Sequence, residues 1–185
     1  GRGSHLEGLQ AAAQAALDEL PADAHHLRAR VHAQLVNMAF YADPSSMEAH
    51  CTAAEQAARQ ADDPLAELAA LRARSMLSYG PEHASLRLAL ADRLEHAAGA
   101  ARKPSVGFWA PLWRIDALAE LGRLPEAVAA LPDLRRAVRA AGLPIARWHE
   151  ARTEAALAEA TARVDAAAAL AADARDLFSR LENPL

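Results

Sequence analysis

The sequence contains one cysteine, no long apolar run and no excess of positive charge, and each of these shortages excludes a class of protein. Cys51 alone cannot form an internal disulfide, which is typical of a reducing cytoplasm. No apolar stretch approaches the roughly 20 residues needed to cross a bilayer, and no signal peptide is visible. The formal net charge of −4 does not favour a nucleic-acid binder. We therefore predict a cytoplasmic protein that contacts neither membrane nor nucleic acid directly.

Residue types that favour β-strands are also scarce. Aromatic residues make up 4% of the chain, whereas hydrophobic residues reach 52% largely through alanine. Alanine and the straight-chain residues leucine, arginine and glutamate lose little conformational entropy in a helix. The composition therefore predicts an all-α protein, and a chain of 185 residues is long enough to bury a sizeable core.

Prolines recur at a fixed interval along the chain. Pro64, Pro104, Pro144 and Pro184 are evenly spaced, with a period of 40. A constant period of this size predicts stacked helix pairs, here a right-handed α-solenoid of about four helix-turn-helix repeats. The repeats are predicted within a single domain, 8–185, at about residues 24–63, 64–103, 104–143 and 144–183. Residues 1–7 are interpreted as a tag remnant, and Pro184 as the start of a further copy.

Other prolines predict where individual helices begin or break. Asp63 followed by Pro64 is a good helix start, because the carboxylate accepts unpaired N–H groups and proline needs no donor. Pro111 suits the first turn of a helix, and Pro132 predicts a kink or split in the second helix of its repeat. Phe108 and Trp109 are neighbours about 100° apart on a continuous helix, so only one of them is expected to point inward.

One turn carries a resemblance to a known repeat. Residues 121–127 (LGRLPEA) resemble the turn between the two helices of a tetratricopeptide repeat, although the period of 40 exceeds the usual 34. Residues 73–83, 112–124 and 144–149 are similar to the helical-repeat region of large actinobacterial ATP-dependent transcriptional regulators of the LuxR-type and cyclase-linked kind. In that family the repeats follow an ATPase module and serve as the sensor or protein-contact part. The resemblance therefore implies a tetratricopeptide-like sensor or interaction module.

Motifs of catalysis and nucleotide binding are missing. The sequence has no phosphate-binding loop of the G-x-x-x-x-G-K type, no G-x-S-x-G and no H-E-x-x-H. His25 and His32 lie two helical turns apart with no further ligand at suitable spacing, and Cys51 is expected to be a small buried hydrophobe. We therefore predict no enzymatic activity, no cofactor and no metal site.

Three tryptophans are candidate ligand-binding residues. Trp109, Trp113 and Trp148 lie on the first helices of repeats three and four, which line the concave side in solenoids of this kind. They could form an aromatic wall for a ligand or peptide. The alternative is that they pack between helices, which is the usual role of large aromatics at helical spacing.

Arginines and one histidine complete the predicted groove. Arg74 and Arg114 occupy the same position of successive repeats, and Arg152 lies beside Trp148. Stacked guanidinium groups would make a carboxylate site, whereas the alternative is a solvated face or pairing with Asp116, Glu120 or Glu154. His149 is expected to pair with Glu150 or Glu154, to titrate near neutral pH, or to be an ordinary exposed histidine.

Two functions follow from these residues. The first is a sensor or interaction module of a bacterial transcriptional regulator, which binds a small molecule or polypeptide in the concave groove and so controls adjacent domains. Its partners would be a protein, adjacent domains of a larger regulator, or a small-molecule effector. The second is a scaffold that only self-associates, for example as a homodimer, through an exposed apolar end.

Overall fold

The protein is all-α, as its composition predicts. The structure is a computed structural model that describes the backbone of residues 2–182 and the side chains of residues 8–40 and 43–181. Every regular element in the described part of the chain is a helix. None of the helices among these residues is long and apolar enough to cross a membrane. The predicted further copy at Pro184 lies outside the described residues, as do Gly1 and the side chains of the predicted tag remnant.

The chain divides into two compact units, one ending at Tyr79 and one beginning at Gly80. The first unit contains four α-helices: α1 (Arg2–Glu19), α2 (His25–Ala42), α3 (Met47–Ala61) and α4 (Pro64–Leu77). The second contains the rest: α5 (Ala84–Ala100), α6 (Pro104–Gly107), α7 (Trp109–Glu120), α8 (Leu124–Ala129), α9 (Leu131–Ala141), α10 (Pro144–Ala160) and α11 (Val164–Glu182). Short 3₁₀ turns at Pro44–Ser46 and Pro81–His83 precede α3 and α5. The boundary falls within the second predicted repeat.

The first unit is built around α2, which packs against α1, α3 and α4. Its core is made mostly of small side chains on α2, α3 and α4, which allow the helices to approach closely: Ala33, Val36, Ala39, Met47, Cys51, Ala54, Ala70 and Ala73. Arg28 ties α2 to α1, because its Nη1 donates to the carbonyls of Leu17 and Leu20 at 3.2 and 3.3 Å. These are carbonyls at the end of α1 that the helix itself cannot satisfy.

The second unit is built around α7 and α10. Helix α7 packs against α5, α8, α9 and α10, and α10 packs in turn against α9 and α11. The largest fully buried side chains here come from several of these helices: Leu94, Phe108, Leu112, Ile115 and Leu134. Burying each of them contributes about 1.5–3 kcal/mol of transfer free energy.

Prolines divide both helices of the third predicted repeat. The chain breaks at Phe108, so that α7 begins at Trp109 and places Pro111 in its first turn. It breaks again at Ala130, so that α9 begins at Leu131 with Pro132 next to it. The split predicted from Pro132 is confirmed. The reason is that proline lacks the N–H that would continue the preceding helix.

Helix starts and the turns before them follow the predicted period. Helices α4, α6 and α10 begin at Pro64, Pro104 and Pro144, and the Asp63 carboxylate accepts the N–H groups of Leu65 and Ala66 at 3.3 and 3.1 Å, as predicted. Residues with left-handed backbone conformation recur at a constant spacing of half a repeat in the second unit: Arg102 (φ 50°), Gly122 (73°), Gly142 (65°) and Ala162 (57°). Asp62 (φ 46°) extends this pattern into the first unit, since it stands one full repeat before Arg102.

The turn at residue 122 is repeated at residue 162. Arg123 donates its backbone N–H to the Leu118 carbonyl, and Arg163 donates to the Ala158 carbonyl, both at 2.8 Å. These bonds span five residues and close the helix in a Schellman motif. The same turn therefore forms with glycine in one copy and with alanine in the other.

Candidate functional site

Six of the seven residues predicted to bind a ligand lie in the second unit. Trp109, Trp113 and Arg114 are on α7, and the other three are on α10: Trp148, His149 and Arg152. Arg74 is on α4 and belongs to the first unit.

Arg74 forms ion pairs with two carboxylates of α3. Its Nε and Nη2 donate to the two carboxylate oxygens of Glu55 at 2.8 and 3.0 Å. Its Nη1 donates to Glu48 at 2.9 Å. Each guanidinium nitrogen is therefore bonded to a carboxylate within the protein. An incoming anion would have to displace these pairs.

Arg114 also pairs with two carboxylates, in the second unit, but through a single guanidinium nitrogen. Its Nη2 donates to Asp92 at 2.8 Å and to Glu95 at 2.7 Å, both on α5. The alternative of an ion-paired arginine thus describes Arg74 and Arg114, although with different partners from those that were expected. The structure does not place Asp116, Glu120 or Glu154 as the partners of either.

The ion pairs themselves follow the repeat. Arg74 pairs with Glu55 and Arg114 with Glu95, at the same separation along the chain. Glu154, at the next equivalent position, pairs with Arg135 at 2.6 Å, again at this separation. In the third pair the acid and the base have exchanged places, so the same two repeat positions are paired but with their charges reversed.

An aromatic cluster joins α7, α10 and α11. It consists of Phe108, Trp109, Trp113, Trp148, His149 and Phe178, and is called the aromatic cluster below. The ring centroids of Trp109 and Trp113 are 5.5 Å apart. His149 contacts both Trp109 and Trp148, with its ring centroid 4.8 Å from that of Trp109 and 4.5 Å from that of Trp148. These distances are in the range of favourable aromatic pairs, worth about 0.5–1.5 kcal/mol each.

The three tryptophans differ in burial. Trp113 is 7% exposed, so its ring belongs to the core, whereas Trp109 and Trp148 are half-buried. Phe108 is fully buried and its ring centroid lies 4.7 Å from that of Trp109. Phe108 is thus the more buried of the two neighbours, while Trp109 keeps part of its ring exposed and both rings belong to the aromatic cluster.

His149 is enclosed rather than exposed. Burial and the nearby positive charge of Arg152 lower the pKa of the His149 imidazole to about 4. The ring is therefore neutral at pH 7, and the expectation that it titrates near neutral pH is wrong. Its Nδ1 is buried and has no hydrogen-bond partner among the described residues. Glu154, one of the partners expected for it, pairs with Arg135 instead.

The open side of the cluster lies around Trp148. The guanidinium carbon of Arg152 is 5.7 Å from the centroid of the Trp148 ring, within the range of a cation–π contact. Phe178 of α11 packs on Trp148 at 5.4 Å between ring centroids and is 40% exposed. Sequence reasoning missed Phe178 because it considered only the first helix of each repeat. The apolar residue at the end of an alanine-rich helix was the available signal.

Asp116 of α7 interacts electrostatically with Arg152 of α10 and Arg87 of α5. Burial raises the pKa of the Asp116 carboxyl above its usual range, although the positive charges of Arg152 and Arg87 oppose this. Arg87 of α5 is buried, forms an ion pair with Glu120 and donates to the Gly80 carbonyl at 2.9 Å. The sequence predicted Asp116 only as a possible ion-pair partner of an arginine. It did not predict that the Asp116 carboxyl is buried.

Cys51, His32 and His50 lie in the first unit, on α2 and α3. Cys51 is buried, and burial raises the pKa of its thiol to about 12, so the nucleophilic thiolate does not form at pH 7. His32 pairs with His50 across α2 and α3, with the two Nδ1 atoms 3.2 Å apart. In the part of the chain that the structure describes, no three His, Cys, Asp or Glu side chains are arranged to hold a metal ion.

The arrangement in the second unit is suited to binding. It offers two half-buried indoles, one neutral imidazole and one guanidinium held over an indole. Aromatic and arginine side chains of this kind carry most of the binding energy in protein interfaces. Comparison of the chain with family models, with curated proteins and with solved structures found no match.

Proposed function

We propose that this chain is a non-enzymatic interaction module that binds a polypeptide or small-molecule effector at the aromatic cluster. In this proposal the module is a right-handed α-solenoid of tetratricopeptide-like repeats, of the kind found in bacterial transcriptional regulators. Binding would change the curvature or self-association of the repeats and so control adjacent domains.

Three regularities support the repeat part of the proposal. Helices begin at prolines one repeat period apart, left-handed residues recur at half that period, and ion pairs join equivalent positions at a constant separation. Helix pairs that recur in this way bury their apolar faces by stacking on their neighbours.

One observation carries the binding part of the proposal. The half-buried rings of Trp109 and Trp148 both contact the neutral His149, and the Arg152 guanidinium lies within cation–π range of Trp148. An indole that is half-buried keeps a surface for a partner, while its packed side fixes its orientation. A site that is already ordered loses less conformational entropy when it binds.

The charges nearby indicate the partner's chemistry. Arg152 is exposed and holds its guanidinium beside an indole, so it can donate to a carboxylate while the ring contacts an apolar or aromatic group. A partner with an aromatic group next to an acidic one fits these features best.

The experiment is a selection of peptides from a displayed random library on the whole chain, followed by intrinsic tryptophan fluorescence titrations with the selected peptides and with aromatic carboxylic acids. We expect saturable binding that weakens at least about tenfold in Trp148→Ala and in Arg152→Gln, because truncating interface anchors commonly costs more than about 1 kcal/mol. Arg139→Gln is the matched control, since Arg139 is an exposed arginine of α9.

Circular dichroism checks that each variant is folded. Unchanged affinity in folded Trp148→Ala and Arg152→Gln variants would place binding elsewhere and overturn the proposal. Equal loss in the Arg139→Gln control would show only a general effect of charge.

The alternative of a self-associating scaffold rests on α11. Val164 is 69% exposed and Phe178 is 40% exposed, and the two lie on one face of this helix with Ala168, Ala171 and the exposed Arg175 between them. A second copy could cover this face. Light scattering over a hundredfold dilution separates the two functions: a scaffold changes its mass with concentration and loses this dependence in Val164→Asp, whereas a monomeric sensor keeps one mass.

A further inference from the structure

The second unit contains a cavity that shares no residue with the aromatic cluster. Its volume is about 330 Å³, and it lies between the C-terminal part of α5, the short helix α6 and α9. The lining residues are Glu95, Ala98, Gly99, Arg102, Lys103, Pro104, Gly107, Ala137 and Ala140. The cavity is therefore mostly apolar, with three charged side chains.

Small side chains keep this space empty. A Cβ atom added at Gly99 would meet no atom within 4 Å, and one at Gly107 would only touch the Ala98 side chain, at 3.7 Å. One repeat later in the chain, Arg147 and Leu177 stand where Gly107 and Ala137 stand here. The third repeat thus lacks the large side chains that its successor has at equivalent positions.

The charges around the cavity favour an anion. Arg102 and Lys103 are exposed cations with no ion-pair partner among residues 8–40 and 43–181. Glu95 is the acidic residue of the lining, and its Oε2 accepts a hydrogen bond from Arg114 at 2.7 Å. Two cations therefore border an apolar space whose one carboxylate is already engaged.

We infer that this cavity binds a small amphiphilic anion, with its apolar part among the alanines and glycines and its carboxylate or phosphate group at Arg102 and Lys103. The volume is at the lower end of the usual range for ligand sites, about 300–1,000 Å³, which favours a small ligand. Hydrogen bonds from cations to an anionic head group are the strong kind, and a bound apolar part would remove the alanine and glycine surfaces from water. This inference is independent of the function proposed above.

The test is a titration of the whole ¹⁵N-labelled chain with octanoate, followed by amide chemical shifts. We expect saturable shifts of the Gly99 and Gly107 amides. Octanamide, which has the same apolar part and no charge, should bind at least about tenfold more weakly, since it forfeits the charge-assisted hydrogen bonds. Octyl phosphate, titrated in parallel, shows whether the head group preferred is a carboxylate or a phosphate.

Two sets of variants separate the parts of the site. Ala137→Leu fills the cavity with the side chain found at position 177 and should abolish the shifts. The double variant Arg102→Gln with Lys103→Gln should lose affinity for octanoate roughly tenfold and keep its affinity for octanamide. Ala129→Leu, at an exposed position of α8, is the control and should bind octanoate normally.

Several outcomes would overturn the inference. These are unchanged octanoate binding in Ala137→Leu, equal binding of octanoate and octanamide, and shifts confined to α10 and α11. Failure of Ala137→Leu to fold would leave the decision to the charge variants, which lie on the surface. None of these variants alters the aromatic cluster, so failure here is distinguishable from failure of the proposed function.

Discussion

Arg135 of α9 donates its Nε to Glu154 of α10 at 2.6 Å, at the repeat position where Glu95 and Arg114 pair with the opposite polarity. In the pair Arg135–Glu154 the base lies on the earlier helix. In the pair Glu95–Arg114 the acid lies on the earlier helix. Two helices can therefore be joined at this position by either orientation of charge. The geometry of the contact is set by the helices and not by which residue carries which charge.

Exchange of the two charges should accordingly be tolerated. We expect Arg135→Glu alone to destabilise the fold by about 1 kcal/mol, because it places two carboxylates together at a partly exposed site. The double variant with Glu154→Arg should recover most of this loss. A double-mutant cycle by urea denaturation measures the coupling, and a double variant no more stable than the single one would contradict the prediction.

The turn at residue 162 predicts a substitution that stabilises the fold. Ala162 has a φ of 57°, in the region that glycine adopts without steric cost. We expect Ala162→Gly to raise the free energy of unfolding by up to about 1 kcal/mol, and Gly122→Ala to lower it by a similar amount. Thermal denaturation followed by circular dichroism measures both.

The control for this turn is the same substitution inside a helix. Ala156 is exposed in the interior of α10, where glycine costs about 1 kcal/mol. Ala156→Gly should therefore destabilise the fold. A loss of stability in Ala162→Gly as large as in this control would show that the left-handed turn is not formed.

The buried His149 predicts a dependence of stability on pH. Its pKa is about 4 in the folded protein and near 6.5 when the chain is unfolded, so the unfolded chain takes up the proton first as pH falls. Stability that is present above pH 6.5 is lost between pH 6.5 and 4, by about 1–2 kcal/mol once the partly exposed ring is taken into account. Urea denaturation at several pH values measures the loss.

Replacement of His149 by phenylalanine should remove this part of the loss, because phenylalanine keeps the ring contacts and does not titrate. The difference in stability between the two proteins isolates His149 from carboxylates that titrate in the same range. His96→Phe, at an exposed position of α5, serves as the control. Parallel stability curves for the native and His149→Phe proteins would contradict the assignment.

The tryptophans should separate into a core residue and a surface residue. Trp113 is buried, so Trp113→Ala is expected to cost about 3–5 kcal/mol and to unfold much of the protein. Trp148 is half-buried, and Trp148→Ala should leave the protein folded with a smaller loss. Circular dichroism and urea denaturation distinguish the two, and equal losses would place Trp148 in the core as well.

Local signals predicted much of the helical structure. Helices begin at Pro64, Pro104 and Pro144 and divide near Pro132 because proline acts within one turn of its own position. The all-α class followed in the same way from residue preferences. The solenoid arrangement remains a prediction, since it concerns how the repeats are stacked along the whole chain.

The candidate site was harder to predict because its environment depends on contacts distant in sequence. For Arg74 and Arg114 the sequence left open both a carboxylate site and an ion-paired face, and it did not identify their partners, which lie on another helix several turns away along the chain. The low pKa of His149 arises from burial that the sequence does not display. Phe178 reaches Trp148 from α11, whereas Trp148 itself lies on α10.

The left-handed residues that precede the repeats allow such a chain to gain or lose a whole repeat without a new kind of turn. Arg102 and Gly142 each lie two residues before a proline that begins a helix, and both turn the backbone in the same sense. A duplication or loss of residues 104–143 would therefore join a left-handed turn to a proline helix start at the new junction, as at the old ones. Recombination within the coding sequence can add or remove one copy here without inventing a new turn.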